Sequence, residues 1–306
     1  MATNRASLRA ALGALLLLSS IWGYNWVVMK RALAYAGAWD FAALRAVLGT
    51  LVLFAVLALL RRPLKPQEVK GTCLLGMLQT VGNGGLAVAA LIAGGAGRSA
   101  VLVYMMPFWT LALGRILLGE RISAWQSVAA GAAFAGMLLI VGPWQLDRAL
   151  LSSLLALASG LCWAFSAIVA KKLRARIQLD LLSLTAWQTL YGAGVLVAVA
   201  LLAPSRPIDW SPYFIAALAY NVVFAVAVAW LLWLFALHRL PAGLAAMGTL
   251  LIPVIGAGAG ALELGERHAL RELLGMALVC AGLALLAWLA RVESRELANY
   301  RSGSDT

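Results

Sequence analysis

Three apolar stretches of this chain carry polar side chains at helical spacing: Ser19, Trp22, Asn25 and Met29; Gly76, Gln79 and Asn83; Ser159, Trp163 and Ser166. Each set shares one face of a helix. Amides and hydroxyls give and accept hydrogen bonds, so the chemistry they offer is reversible recognition of a small solute. The same faces also suit hydrogen bonds between helices. Trp22, Tyr104, Trp163 and Trp230 could wall such a site, since pockets are mostly apolar with a few placed polar groups. Pro107 and Pro253 stand within apolar runs and free the carbonyls of Val103 and Thr249 four residues back. A wet cavity, a substrate ammonium or a plain kink would each accommodate those carbonyls. Bond-making chemistry needs an acid/base pair or a nucleophile with a partner. The apolar runs hold no Asp or Glu clear of their ends, and His238 and His268 stand singly near span ends. We therefore expect no enzyme, no metal site and no cofactor.

The elements that carry these residues follow from composition. The chain has 306 residues, 63% hydrophobic and 12% charged, where a soluble domain is nearer half apolar and a quarter charged. It belongs in the membrane class. Its net charge of +12 comes without a basic helix, finger or aromatic-basic sheet pattern, so juxtamembrane Lys and Arg explain it better than nucleic acid. Cys73, Cys162 and Cys280 lie in apolar runs with no CxxC spacing, as buried thiols acting as small hydrophobes. The first apolar stretch, about 8–29, is longer than a signal-peptide core of about 7–15 residues. Spans of about 20 residues fall near 8–29, 39–60, 71–93, 98–118, 124–142, 149–170, 181–203, 212–235, 241–262 and 271–290. The fold class is thus an all-α integral membrane protein of ten transmembrane helices. With both termini cytoplasmic, 16 Lys and Arg face inside and 7 outside, with Arg45 left within a span; the positive-inside rule selects this topology. Trp39, Trp144 and Trp210 fall at outer ends, Trp125 and Trp288 at inner ends, as interfacial belts require.

The halves are related. Pro107, Gly119, Glu120, Arg121 and Gly136 each recur 146 positions on, as Pro253, Gly265, Glu266, Arg267 and Gly282. An offset of 141 pairs Trp22 with Trp163, Asn25 with Ser166 and Lys30 with Lys171. Five spans is an odd number, so the second copy is inverted, an architecture of transporters with the site near the midplane. The units are 1–145 and 146–292, followed by a disordered cytoplasmic tail at 293–306. Arg45 lies six residues below Trp39, about 9 Å at 1.5 Å per residue. That depth suits snorkelling or a structural partner better than an anion contact. Glu120 and Glu266 close helices, each before an Arg and a chain reversal, as a local ion pair or a cap for the next helix. Gly256 and Gly260 form a GxxxG for close helix packing.

The stretches WGYNWVVMKRAL and WLLWLFALHRLPAGLAAMGTLLIPVIGAGAGALELGER, with Arg45 in the second span, resemble the drug/metabolite transporter superfamily, specifically its EamA-type ten-helix members. The resemblance covers roughly 10–290. QTVGNGG and IAGGAG depart from the usual tyrosine- and alanine-rich pattern, which leaves the substrate open. The (aromatic) amino-acid exporters are the members it is most similar to as a whole. This implies a multi-pass protein of the bacterial inner membrane whose partners are a small-molecule substrate and the bilayer; the oligomeric state stays open, and a monomer is compatible with it. The expected activity is alternating-access export of a neutral or zwitterionic metabolite. Because the carboxylates map to helix ends, a facilitator or exchanger is expected over a proton-coupled carrier. Phosphorylated substrates would need more deep cations than Arg45.

Overall fold

In a computed structural model the described residues are 5–141, 148–177, 180–203, 205–237 and 251–303, and all their regular structure is helical. Helix α1 is Arg5–Ala32 and α2 Ala38–Leu59. Helix α3 runs Val69–Ala90 and α4 Ala96–Leu118. Helix α5 is Ala124–Val141, α6 Arg148–Arg174 and α7 Leu181–Leu202. Helix α8 joins Pro212–Ala219, Tyr220–Val228 and Ala229–Leu237; α9 is Leu251–Leu264 and α10 Leu270–Gly303. Eight of these are long and apolar enough to cross a membrane; α5 and α9 are apolar but shorter. The expected span at 241–262 begins outside the described residues, as do Trp144, His238 and Thr249. Position 293, where a disordered tail was expected, lies within α10, which runs unbroken to Gly303.

Local chemistry sets the ends. Glu68 caps α3 through Gly71 N, Asp180 caps α7 through Ser183 N at 2.9 Å, and Ser211 caps α8 through Phe214 N at 3.3 Å, with Pro212 in the first turn. These side chains take backbone N–H groups that a helix start cannot satisfy itself. Gly119 and Gly265 have φ of 69° and 64°, a left-handed conformation that ends the helix and that glycine adopts without steric cost. In both turns the next amide reaches back six residues, Glu120 N to Gly114 O and Glu266 N to Gly260 O. Gly114 and Gly260 are themselves 146 apart, so the repeat extends inward from the GER motif.

Two expected continuous helices are not regular. Gly76–Gly85 of α3 and Tyr220–Val228 of α8 are π-helical. The wider turn unseats carbonyls from their ordinary partners, and such segments often mark functional sites. Here side chains of the other repeat take them up: Ser159 Oγ donates to Asn83 O at 2.9 Å, and Trp22 Nε1 donates to Ala225 O at 2.9 Å. The span containing Pro107 is also broken, Ala96–Val103 then Met106–Leu118, with Pro107 opening the second piece.

The halves interlock rather than sit side by side. Helix α1 packs on α8 and α9, α6 on α3 and α4, α2 on α7, and α5 on α10. The last pair meets through mirrored contacts: a Cβ on Gly136 would lie 2.5 Å from Gly275 O, and one on Gly282 would lie 2.7 Å from Ala129 O. Adding 146 to Ala129 and Gly136 gives Gly275 and Gly282, so one contact occurs twice. Phe41, Leu102, Phe108 and Phe214 fill the core with many alanines, whereas Leu51, Leu59, Leu201 and Leu262 point outward. Small residues between helices and large ones toward lipid are what membrane packing favours. Trp125, Trp210 and Trp288 are exposed as expected, but Trp39 turns inward against Gly85. Cys73 is exposed on its apolar helix rather than buried, while Cys162 and Cys280 are half-buried.

Candidate functional site

A cavity of about 420 Å³ opens between the repeats, within the range usual for small-molecule sites. Helix α1 contributes Trp22, Asn25 and Met29 of the face read from the sequence, together with Trp26. The π segment of α3 contributes Asn83 and Gly84, the break in α4 Val103 and Tyr104, α6 Trp163, and α8 Val226 and Trp233. A smaller adjoining chamber of about 160 Å³ adds Gln79, Thr185, Gln188 and Thr189 and shares Arg45, Asn83 and Trp163. Six predicted residues, Trp22, Asn25, Gln79, Asn83, Tyr104 and Trp163, thus line one connected region. Ser166 does not. It is fully buried, and its hydroxyl donates to Trp163 O at 2.7 Å within α6. The side chain of Trp230 lies outside the described residues, and Trp233, one turn further, is the lining residue.

The amides are held by neighbours from the opposite repeat. Asn83 Nδ2 donates to Ser159 O at 3.2 Å and to Ser159 Oγ at 3.0 Å, and Gln188 Nε2 donates to Gln79 Oε1 at 2.5 Å. These bonds are interhelical glue and cavity lining at once, so the two sequence readings coincide on the same side chains. Asn25 is 5% exposed and its Oδ1 has no hydrogen-bond partner. Of the proline-freed carbonyls, Val103 O packs on Gly160, where an added Cβ would come within 2.6 Å. The break at Tyr104 therefore presses backbone against backbone. Pro253 is buried within α9 and is not among the lining residues.

Arg45 departs from one of its two expected roles, snorkelling, and takes the other, a partner within the fold. Instead of snorkelling to a membrane border, it lines both chambers and donates to Met29 Sδ at 2.8 Å. The reason is the face it occupies: Ala42, one turn before it, and Ala46, next to it, also line the smaller chamber, so that face of α2 looks into the protein. Among the described residues no carboxylate lines either chamber. A larger cleft of about 620 Å³ lies at one end of the bundle, among Lys30, Trp39, Ser205 and Arg206. Its cations are already engaged, Lys30 Nζ with Leu91 O at 2.5 Å and Arg206 with Leu33 O. It offers less unmet chemistry than the central cavity.

The two GER carboxylates also depart from expectation. Glu266 does not cap α10; it accepts from Ala96 N at 2.5 Å and Gly97 N at 3.0 Å, at the start of α4. Glu120 pairs with Lys171 of the other repeat, not with Arg121. The left-handed glycine before each carboxylate folds it back over Gly114 or Gly260, where no Cβ blocks it. Since Glu266 sits at the start of α4 and Glu120 just past its end, the two turns occupy opposite ends of the bundle. His268 is not solitary. It lies 3.8 Å from Glu266 and 3.6 Å from Glu272, and Arg98 is 3.3 Å from Glu272. No cluster of His, Cys, Asp and Glu suited to a metal occurs among the described residues.

Thr185, Gln188 and Thr189 were missed, although their i, i+3, i+4 spacing in an apolar run is the same signal that marked α1, α3 and α6. Trp26 and Trp233 carried no such signal.

The EamA-like transporter family matches this chain twice, over residues 9–142 and 150–288. The chain belongs to the EamA-like transporter family. The match covers both halves, so the duplication read from the GER turns is that of the family's own unit. An uncharacterized transporter of Bacillus subtilis (strain 168), YoaV, is 26% identical over 269 residues, 86% of this chain and 91% of that one. A probable amino-acid metabolite efflux pump of Escherichia coli (strain K12) is 28% identical over 296 residues, 91% and 96% of the two chains. A solved crystal structure covers 94% of this chain and 98% of its own at a TM-score of 0.63 and 18% identity, which supports the same fold. This EamA-family protein is a multi-pass membrane transporter and not an enzyme.

Proposed function

We propose that this EamA-family protein exports amino acids, or closely similar neutral or zwitterionic metabolites, across the bacterial inner membrane. It works by alternating access of two inverted five-helix repeats, ten spans in all, with both termini cytoplasmic. One observation carries the reading: the central cavity is walled by both repeats, with Trp22, Trp26, Tyr104, Trp163 and Trp233 as its aromatic wall, and among the described residues it holds amides and one cation but no carboxylate. Rocking one repeat against the other would expose such a site to each side in turn. The likeness to an amino-acid metabolite efflux pump agrees with it. That no carboxylate lines the cavity among the described residues favours a facilitator or exchanger.

A second reading, proton coupling, is favoured by the packing of His268 between Glu266 and Glu272 at the point where α9 meets α4. Counterflow in proteoliposomes decides between them. Vesicles loaded with unlabelled amino acid are expected to accumulate the labelled one without any proton gradient. Concentrative uptake driven by a proton gradient alone, abolished by an ionophore and by His268→Gln, would establish coupling instead. Absence of counterflow for every amino acid tested would overturn the amino-acid assignment.

A further inference from the structure

We propose that Arg45 and Asn25 together recognise the backbone of an α-amino acid, the guanidinium taking the carboxylate and Asn25 Oδ1 taking the ammonium. This rests on the amino-acid reading of the central cavity and specifies how that site selects its substrate. Arg45 is a fixed cation within a span, on the wall shared by the two chambers. Among the described residues it forms no ion pair; it contacts the thioether of Met29, a weak acceptor. Cations nearer the bundle ends are differently placed: Arg31 pairs with Glu263, Arg62 with Asp180, Arg98 with Glu272 and Lys171 with Glu120. A charge held inside a membrane protein without a counterion marks a substrate or ion path. The planar fork of a guanidinium matches a carboxylate in a bidentate pair.

Asn25 supplies the complementary half. Its carbonyl oxygen is buried, belongs to the cavity wall and has no donor, and buried acceptors are ordinarily satisfied. An ammonium carries three N–H donors. Spacing ties the two halves together. Asn25 and Met29 are i and i+4 on α1, neighbours on one face about 6 Å apart along the axis. Because Arg45 bonds Met29 Sδ, its guanidinium sits about one helical turn from the amide of Asn25. Groups attached to the same carbon, as in an α-amino acid, can reach both; a carboxylate and an amine at opposite ends of a longer chain cannot do so compactly. The rest of the lining, Trp22, Trp26, Tyr104, Trp163 and Trp233, then receives the substrate's side chain. A large apolar or aromatic side chain fits that wall.

The test is binding to the purified full-length protein, read by quenching of its tryptophan fluorescence. The probes are phenylalanine, phenylalanine amide, phenethylamine and 3-phenylpropionate. Phenylalanine is expected to bind at least tenfold more tightly than each of the other three. In Arg45→Gln the preference over the amide and over phenethylamine is expected to vanish, with Arg45→Lys keeping part of it. In Asn25→Leu the preference over 3-phenylpropionate is expected to vanish while that over the amide stays. Thermal melts of each variant establish that it is folded. Phenylalanine and its amide binding equally to the wild type would overturn the role of Arg45 and leave amino-acid transport standing. Tight Arg45-dependent binding of 3-phenylpropionate without binding of phenylalanine would remove both the Asn25 role and the amino-acid reading.

Discussion

Glu266 is the residue whose removal has the most readily worked consequence. Its two carboxylate oxygens take the amides of Ala96 and Gly97, the N–H groups that open α4. Those donors have no partner within the helix, and the side chain of Glu266 is only 12% exposed, so water replaces it poorly. Loss of a capping side chain costs about 0.5–2 kcal/mol, and a partly buried charge at a helix end contributes up to about 2 kcal/mol more. Taking about 2 kcal/mol for the contact, Glu266→Ala shifts the balance between docked and undocked α9 by roughly thirtyfold, since about 1.4 kcal/mol is tenfold. Glu266→Gln keeps one acceptor and loses the charge, so a smaller shift is expected. The assay is thiol labelling of a cysteine placed at Gly84 in the cavity wall, with a membrane-impermeant reagent applied from the Arg206 side. Labelling there is expected to rise in Glu266→Ala and to fall in Glu120→Ala, whose carboxylate lies at the opposite end. Unchanged labelling in folded Glu266→Ala would show that the contact holds nothing shut.

Two further outcomes follow from contacts already described. Gly160→Ala puts a methyl group 2.6 Å from Val103 O, a backbone atom that cannot step aside, and is expected to lower stability by about 1–3 kcal/mol; Gly194→Ala, with nothing within 4 Å, is the control in the same thermal melt, and equal melts would refute the close approach. Cysteines at 176 and 206 are expected to label from the cytoplasmic and the outer side respectively, and the reverse pattern would overturn the orientation taken from the basic residues.

Much of the architecture was legible because the bilayer simplifies the physics. Length and hydropathy placed α1, α2, α6 and α7 to within a few residues, and the repeat placed Glu120 and Glu266 in equivalent turns. What those turns do was not legible. A left-handed glycine aims each carboxylate backward, onto a helix far away in sequence, and spacing alone points forward to the next helix. The choice between snorkelling and an internal partner for Arg45 was open for a related reason: depth below Trp39 was readable, but the face of α2 that turns inward is set by Ala42, Ala46 and the partner helices. The π segments left no periodic mark, since one wider turn shifts the register without changing composition. For the site, polar faces on α1 and α3 were sufficient signals, whereas Ser166 satisfied the same rule and spends its hydroxyl on its own helix. Spacing identifies a face; it does not say whether the face meets a cavity or a neighbour.

The mirrored contact between α5 and α10 has a genetic consequence. A side chain at position 136 is tested against the carbonyl of 275, and one at 282 against that of 129. Each helix therefore presents to its mate the surface that its mate presents to it, the rule of a two-fold homodimer interface. A single five-helix segment carrying this surface is expected to recognise another copy of itself inserted upside down without a linker. The halves differ where the mirror is broken: Asn25 corresponds to Ser166, one looking into the cavity and the other closed upon its own helix. Two identical halves would lack that difference between the walls of the cavity.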